Sequence, residues 1–240
     1  TTPTGPDEVL VIIPTYNAEA CLERAVQSAR NQTFQDFEII LIDDASTDGT
    51  VQLANRLAAE DSRIRLIQQT ENGGPSIARN AGIDAASGEW IVILDADDAF
   101  KPDRLKQLFD FCSQRHCDVL ADDLTLFDQG IERQIGAAFN WGAAHVLTMD
   151  LLLERDVFLR GNPLGWIKPV IRKSFLHEKE IRYPPEYRHA EDFYLLSALL
   201  LSGATFWLTP HPGYIYTLRT GTTSKEKSPC QYCHLFLVVC

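Results

Sequence analysis

Residues 89–100 read EWIVILDADDAF. Trp90, Ile91, Val92, Ile93 and Leu94 make a continuous apolar run, the pattern of a strand buried on both faces of a parallel sheet. The run stops at Asp95, Asp97 and Asp98. Carboxylates repel one another, and each costs free energy beside an apolar core unless a cation answers it. The stretch raises the question of which cation stands at this strand end, and what it holds.

Upstream the same pattern repeats. VLVIIPTY (9–16) is a continuous apolar run, FEIILIDD (37–44) reads as a second buried strand and IRLIQQ (64–69) as a third. Between them lie helical stretches. NAEACLERAVQSARNQ (17–32) puts Cys21, Leu22, Ala25, Val26 and Ala29 on one stripe, with Asn17 as the expected N-cap. STDGTVQLANRLAAED (46–61) follows the second run. GGPSIARNAGIDAASG (73–88) has Pro75 near its start and Gly88 past its end. KPDRLKQLFDFCSQRH (101–116) reads as a fourth helix. Strand and helix thus alternate four times, which predicts βαβ units, right-handed crossovers and a mostly parallel sheet of Rossmann-like α/β type flanked by helices.

In such sheets ligands bind beyond the carboxyl ends of the strands. Three polar clusters fall there: Thr15-Tyr16-Asn17, Asp43-Asp44 and Asp95-Ala96-Asp97-Asp98. Asp95 and Asp97 are two apart, so in extended chain they point to one side. Two carboxylates on one side make a hard oxygen site suited to Mg²⁺ or Mn²⁺, with substrate phosphates completing the shell. A lone pair of this kind more often caps a following helix; the other two strand ends argue for a site. Asp43-Asp44 reads as turn residues or as acceptors for a base or ribose. Tyr16 reads as a core aromatic or as a platform for a flat ring. Gly73-Gly74 makes a turn or lets backbone approach a ligand, with Arg79 one turn inside the helix to reach a phosphate. No GxGxxG follows the first strand and no GxxxxGK[ST] is present, so neither a dinucleotide fingerprint nor a P-loop is supported.

The second half is less regular. DVLADDLTLFD (118–128) reads as a strand and MDLLLERDVFL (149–159) as a helix. GNPLGWIKPVIRKSFL (161–176) reads as a loop, short strand and helix. AEDFYLLSALLLSG (190–203) reads as a buried helix opening on two acids, and ATFWLTP (204–210) and GYIYTL (213–218) as two short strands. Trp166 and Lys168 are candidates for a second binding wall. His189 and His211 are isolated, and lone histidines are seldom ligands. The expected organisation is one domain over 1–240: a nucleotide-like half (9–116), an irregular half that builds another wall (117–225) and a tail (226–240).

The 240 residues carry a net charge of −11, with 45% hydrophobic and 23% charged residues. That composition is ordinary for a globular protein. The acidic balance argues against nucleic-acid binding and against a polybasic membrane patch. TTPTGPDEVL at the start does not read as a signal peptide, and no run approaches the ~18 apolar residues of a membrane span. The six scattered cysteines predict free thiols in a reducing, cytoplasmic setting. Cys230, Cys233 and His234 in CQYCH form one CxxC without a second pair, a weak metal signal.

Taken in order, VIIPTYNAEACLERAVQSARNQTFQDFEIILIDDASTDGT, NGGPSIARNAGIDAASGEWIVILDADD and the later AED resemble the family 2 glycosyltransferases. The resemblance is close over about residues 9–104 and looser afterwards, apart from AED and YTLRTGTTS. It implies a GT-A fold and an inverting enzyme that uses a nucleotide-diphospho-sugar. It implies that Pro14, Thr15, Tyr16 and Asp44 hold the base, uracil being expected, with help from Glu19. Gly74 and Arg79 would face the nucleotide and its phosphates. Asp95 and Ala96 would lie near the ribose or metal, and Asp97 would be the principal ligand of Mg²⁺ or Mn²⁺. Asp192 would be the catalytic base, with Glu191 beside it as the alternative, and Arg219 would close over the diphosphate. The implied partners are a UDP-sugar and a saccharide, lipid-linked or protein acceptor, with action in the cytoplasm or peripherally at the inner membrane face. The competing readings are a sugar-nucleotide nucleotidyltransferase and a non-catalytic nucleotide-sugar-binding module. The first would carry a glycine-rich basic loop after the first strand, where PTYNAEA stands. The second would have lost the DxD or the late acid pair.

Overall fold

The computed structural model describes residues 9–158 and 160–219. The CQYCH segment, the tail 226–240 and the residues after Arg219 in YTLRTGTTS lie outside the described residues.

The first half alternates as expected. Strand β1 (Val9–Thr15) is followed by α1 (Leu22–Arg30), β2 (Phe37–Asp43), α2 (Thr50–Glu60), β3 (Ile64–Gln68), α3 (Pro75–Ala85) and β4 (Trp90–Ile93). These four strands are parallel and stand in the order β3-β2-β1-β4. The chain therefore steps outward twice, then crosses back over β1 to lay down β4. That reversal opens a crevice between the carboxyl ends of β1 and β4. Val9 to Ile13 and Ile91 to Leu94 have no solvent exposure, since helices cover both faces of the sheet. Helix α3 lies against β1 so closely that a Cβ on Gly82 would come within 2.5 Å of Ile12 Cγ2.

The second half extends the same sheet. A two-residue strand β5 (Ala99–Phe100) and helix α4 (Arg104–Cys112) lead to β6 (Val119–Asp128), β7 (Arg133–Ala137) and β8 (His145–Val146). Helix α5 (Met149–Asp156), a single 3₁₀ turn at Leu164–Trp166, β9 (Val170–Arg172), α6 (Lys173–Glu178), α7 (Glu191–Leu201) and β10 (Phe206–Leu218) complete it. The sheet continues β4-β9-β6-β10-β5, with β7 on β6 and β8 on β10. Strand β9 runs antiparallel to both neighbours, while β6 and β10 are parallel to each other.

Four expectations are corrected. Asn17 does not cap α1, which begins at Leu22; Asn17 sits at φ 48° and its Oδ1 accepts from Thr47 N at 2.9 Å. Asparagine tolerates that left-handed backbone, and here it ties the loop after β1 to the loop after β2. Gly88 does not end α3, whose C-cap is Ala86. ATFWLTP and GYIYTL are one strand, β10, with a register break between Thr209 and Tyr214. Pro210 and Pro212 lie in that break, where they cannot donate to a ladder. The short β5, β7 and β8 were not expected. Two of them have two residues each, and β7 is an exposed edge without alternation.

One buried ion pair positions the crevice from below. Arg104, fully buried, holds Asp122 through Nε at 3.1 Å and Nη2 at 2.8 Å from Oδ1, and donates from Nη2 to the Lys168 carbonyl at 3.0 Å. Its guanidinium packs on both the Phe100 and Tyr214 rings, 4.5 and 5.1 Å from their centroids. Replacing Arg104 by Met leaves Asp122 charged, buried and unpaired, and is expected to cost about 3–5 kcal/mol of stability. Urea unfolding of R104M against the wild type measures this; a loss under about 1 kcal/mol would mean that Asp122 finds another partner.

Candidate active site

The carboxyl ends of β1, β2 and β4 deliver their polar clusters to one cavity of ≈ 340 Å³. Its lining includes Pro14, Thr15, Tyr16, Asp44, Gly74, Arg79, Asp95, Ala96, Asp97 and Arg219, all singled out in the sequence. Glu19 is not part of that lining; its Oε2 accepts from Gly49 N at 3.1 Å, at the entry to α2. Tyr16 is 52% exposed at the rim, so it is no core aromatic.

Asp44 is buried and shapes the loop before α3. Its carboxylate accepts from Gly73 N and Gly74 N, each at 2.8 Å, and from Asn72 Nδ2 at 2.9 Å. Gly74 has φ 89°, a conformation that a side chain would strain. Asp43 turns away from the cavity and accepts from Ser46 N at 3.1 Å.

The three carboxylates after β4 have three different partners. Asp95 accepts from Arg79 Nη2 at 2.8 Å and faces Lys168 Nζ at 3.1 Å. Burial pushes its carboxyl up, but Lys168 and Arg79 together pull it well below the ordinary range. Asp97 lies 3.4 Å from Arg219 Nε and keeps about a third of its side chain exposed to the cavity. Burial and the Asp95 charge raise its carboxyl. Asp98 is buried and accepts from Tyr214 OH and Thr217 N, both at 2.8 Å, which fastens β10 to this turn. Burial and its two acidic neighbours push Asp98 well above the ordinary range. The cations that answer the strand end are therefore two buried side chains and one at the rim.

A second cavity of ≈ 360 Å³ adjoins the first, with Pro75 and Arg188 lining both. The N-terminus of α7 forms one side of it. Ala190 precedes the helix in the left-handed region at φ 62°, and Glu191 and Asp192 occupy the first turn. Glu191 accepts from Arg79 Nη1 at 2.8 Å. Asp192 Oδ2 accepts from Lys168 Nζ at 2.5 Å. Asp192 Oδ1 is buried and, among the described residues, accepts no hydrogen bond; Arg79 Nη1 stands 3.7 Å away. Arg79 and Lys168 thus each bridge Asp95 to the acid pair of α7. Lys168 was expected only as a wall residue, and nothing in its local sequence marks it as a partner of Asp95. Arg188, which donates to Asn72 Oδ1 at 3.0 Å, was missed altogether; one arginine in an irregular loop carries no periodic signal. His189 lines the second cavity, whereas His211 pairs with Asp103 at 3.4 Å away from both.

Residues 10–136, more than half of the chain, match the family described as Glycosyl transferase family 2. This chain belongs to glycosyltransferase family 2. Succinoglycan biosynthesis protein ExoO of Rhizobium meliloti (strain 1021) is 33% identical over 220 residues, covering 91% of this chain and 63% of ExoO. The GalNAc(5)-diNAcBac-PP-undecaprenol beta-1,3-glucosyltransferase of Campylobacter jejuni is 31% identical over 77% of this chain and 55% of its own length. Among solved structures, S. aureus TarS 1–349 in complex with UDP-GlcNAc superposes with a TM-score of 0.75 at 26% identity, covering 92% of this chain and 61% of that one. The chain thus spans about three fifths of ExoO and of that TarS structure. The match to TarS bears out the GT-A fold: a central α/β sheet flanked by helices.

Family 2 enzymes of this fold imply a divalent cation, and the residues here fit one of a particular kind. Among the described residues no three His, Cys, Asp or Glu side chains gather around a point. The chain offers Asp97, whose carboxyl is raised by burial and by the neighbouring Asp95 charge, both of which a bound cation would offset. Asp95 is already committed to Arg79 and Lys168. Such a donor set suits Mg²⁺ or Mn²⁺, which takes one or two carboxylates and draws its remaining ligands from water and substrate phosphate.

Asp156, at the end of α5, also lines the second cavity. Burial raises its carboxyl to about 6. A carboxyl raised on folding favours the folded state at low pH, and that contribution is lost as pH rises through about 6. Between pH 4 and 7.5, wild-type stability is expected to lose about 2 kcal/mol that Asp156→Asn does not lose. Paired unfolding curves at both pH values measure the difference; parallel pH profiles for the two proteins would refute it.

Proposed function

We propose that this chain is the catalytic domain of an inverting glycosyltransferase. It moves a sugar from a UDP-sugar to an acceptor hydroxyl. Residues 9–116 form the donor half, residues 117–225 the acceptor half, and Asp192 is the base. The observation that carries the reading is the place of Asp192. It lines the second cavity from the first turn of α7, with Oδ2 held by Lys168 Nζ. A carboxylate fixed at the wall of the acceptor-side cavity is placed to take a proton from a hydroxyl bound there. Glu191, by contrast, is already paired with Arg79.

The reaction is a single displacement. An acceptor hydroxyl in the second cavity loses its proton to the Asp192 carboxylate as its oxygen attacks the anomeric carbon. The bond from that carbon to the donor diphosphate breaks on the opposite face, so the configuration inverts. No covalent enzyme intermediate forms, and one carboxylate on the acceptor side suffices. Arg219 and Arg188 at the rim of the first cavity attract the diphosphate. Tyr16 offers its exposed ring to the base. Asp97 would hold Mg²⁺ or Mn²⁺, which when bound offsets charge developing on the leaving diphosphate. The UDP-GlcNAc complex of TarS supports a uridine donor. The undecaprenol-linked saccharide in the name of the Campylobacter jejuni relative supports a lipid-linked acceptor met at the cytoplasmic membrane face. No helix among the described residues is long and apolar enough to cross a membrane.

Calorimetric titration with UDP, GDP and TDP, with and without Mn²⁺, tests the donor site. UDP is expected to bind tightest and to need the metal, and Asp97→Ala is expected to remove the metal-dependent part. Asp192→Asn should bind UDP within about twofold of wild type yet lose about 10²–10⁴-fold in transfer, the range of a general base. Full transfer by Asp192→Asn would sink the base assignment, and a folded protein that binds no nucleotide would sink the donor reading.

A further inference from the structure

Resting on the glycosyltransferase reading, the second cavity also says what kind of acceptor fits it. Trp166 and Tyr216 line the cavity and stack face to face, with centroids 5.2 Å apart and planes 12° from parallel. Both are half-buried, so this doubled ring forms an apolar wall reached from the cavity. Glu191 and Asp192 of α7, Asp156 and Gly165 also line it. The lining thus combines a flat apolar surface with hydrogen-bond acceptors.

The Trp166 wall is held in place. Asp156 Oδ2 accepts from Leu164 N at 2.7 Å and Oδ1 from Gly165 N at 2.8 Å, which fixes the 3₁₀ turn that carries Trp166. A Cβ on Gly165 would lie 3.0 Å from Asp156 Oδ1, so the turn sits tight against its anchor. Asp156 thus positions the platform.

The charges around the cavity select against anions. It is lined by three carboxylates, Asp156, Glu191 and Asp192. Lys168 is held between Asp192 and Asp95, and Arg188 turns to Asn72 on the donor side. His189 is the remaining basic side chain of the lining. A phosphate or uronate in this cavity would face three carboxylates against the two cations Lys168 and Arg188, and Lys168 is already held by Asp192 and Asp95. A neutral pyranose matches instead. Its C–H face lies on an aromatic ring, and its hydroxyls donate to carboxylate oxygens.

We propose that Trp166, backed by Tyr216 and positioned by Asp156, is the platform on which an uncharged pyranose of a saccharide acceptor stacks, presenting its hydroxyl to Asp192. The acceptor group is thus a neutral sugar ring, in preference to a polyol phosphate, a uronic acid or a hydroxyl side chain of a protein.

Saturation-transfer NMR with UDP and Mg²⁺ present tests this on the full chain. The probes are methyl β-D-glucopyranoside and methyl β-D-galactopyranoside, with methyl β-D-glucuronopyranoside, ribitol 5-phosphate and a seryl peptide as contrasts. At least one neutral glycoside is expected to give ring-proton transfer that drops at least fivefold in Trp166→Ala and survives in part in Trp166→Phe. UDP binding by calorimetry should be the same in all three proteins, which also shows that the variants are folded. If Trp166→Ala does not fold, Trp166→Leu replaces it under the same criterion. Undiminished glycoside transfer in the variant, or a stronger signal from any contrast probe, overturns the platform. UDP binding with no glycoside signal also overturns it and leaves the donor site standing. Absence of UDP binding to the folded wild type overturns the glycosyltransferase reading itself.

Discussion

Everything in the site depends on how Asp95 is neutralised. Its carboxylate ends a strand whose preceding residues are wholly buried, and it is tolerated because Arg79 and Lys168 both reach it. Each cation also reaches the acid pair at the start of α7. Five charged side chains, two cations and three carboxylates, from the turn after β4, from α3, from the segment before β9 and from α7 therefore form one network. Arg79 and Lys168 are both almost fully buried, where an unpaired cation would be costly. The network is stable only when all four elements are in place.

That network aligns the two cavities. The first belongs to the parallel half, where the reversal of strand order between β1 and β4 leaves a crevice. The second belongs to the later half, where α7 and the turn at Leu164–Trp166 face each other. Neither half could set the acid pair of α7 beside the first cavity alone. The buried Arg104–Asp122 pair reinforces the join from below, because Arg104 also holds the carbonyl of Lys168. Asp98 does the same from the side, holding β10 through Tyr214 and Thr217. Of the three carboxylates in DADD, one joins the cavities, one lines the first cavity beside Arg219 and one fastens a strand.

Legibility varied along the chain for physical reasons. Buried parallel strands need unbroken apolar runs, and amphipathic helices need a stripe, so β1 to β4 and α1 to α4 could be read to within a few residues. Their ends were less clear: α1 starts five residues after Asn17, because that side chain is used to join two loops. Strand β10 was divided in the reading at Pro210 and Pro212, since prolines mark breaks locally while the neighbouring strand β6 carries the pairing past them. Glu19 lay in a stretch shared with relatives, yet its carboxylate goes to Gly49.

The chain's own order of residues determined the parallel half, the strand ends at which polar groups collect and the family to which they belong. These follow from periodicity and from motifs a few residues long. Tertiary structure alone decided which carboxylate does what. Asp95, Asp97 and Asp98 are nearly equivalent as letters, and Glu191 and Asp192 are adjacent. Their roles differ because Arg79, Lys168, Arg219 and Tyr214 arrive from distant segments and satisfy some oxygens while leaving Asp192 Oδ1 without a donor. Electrostatic pairing is set by distance in space, and no local pattern encodes that distance.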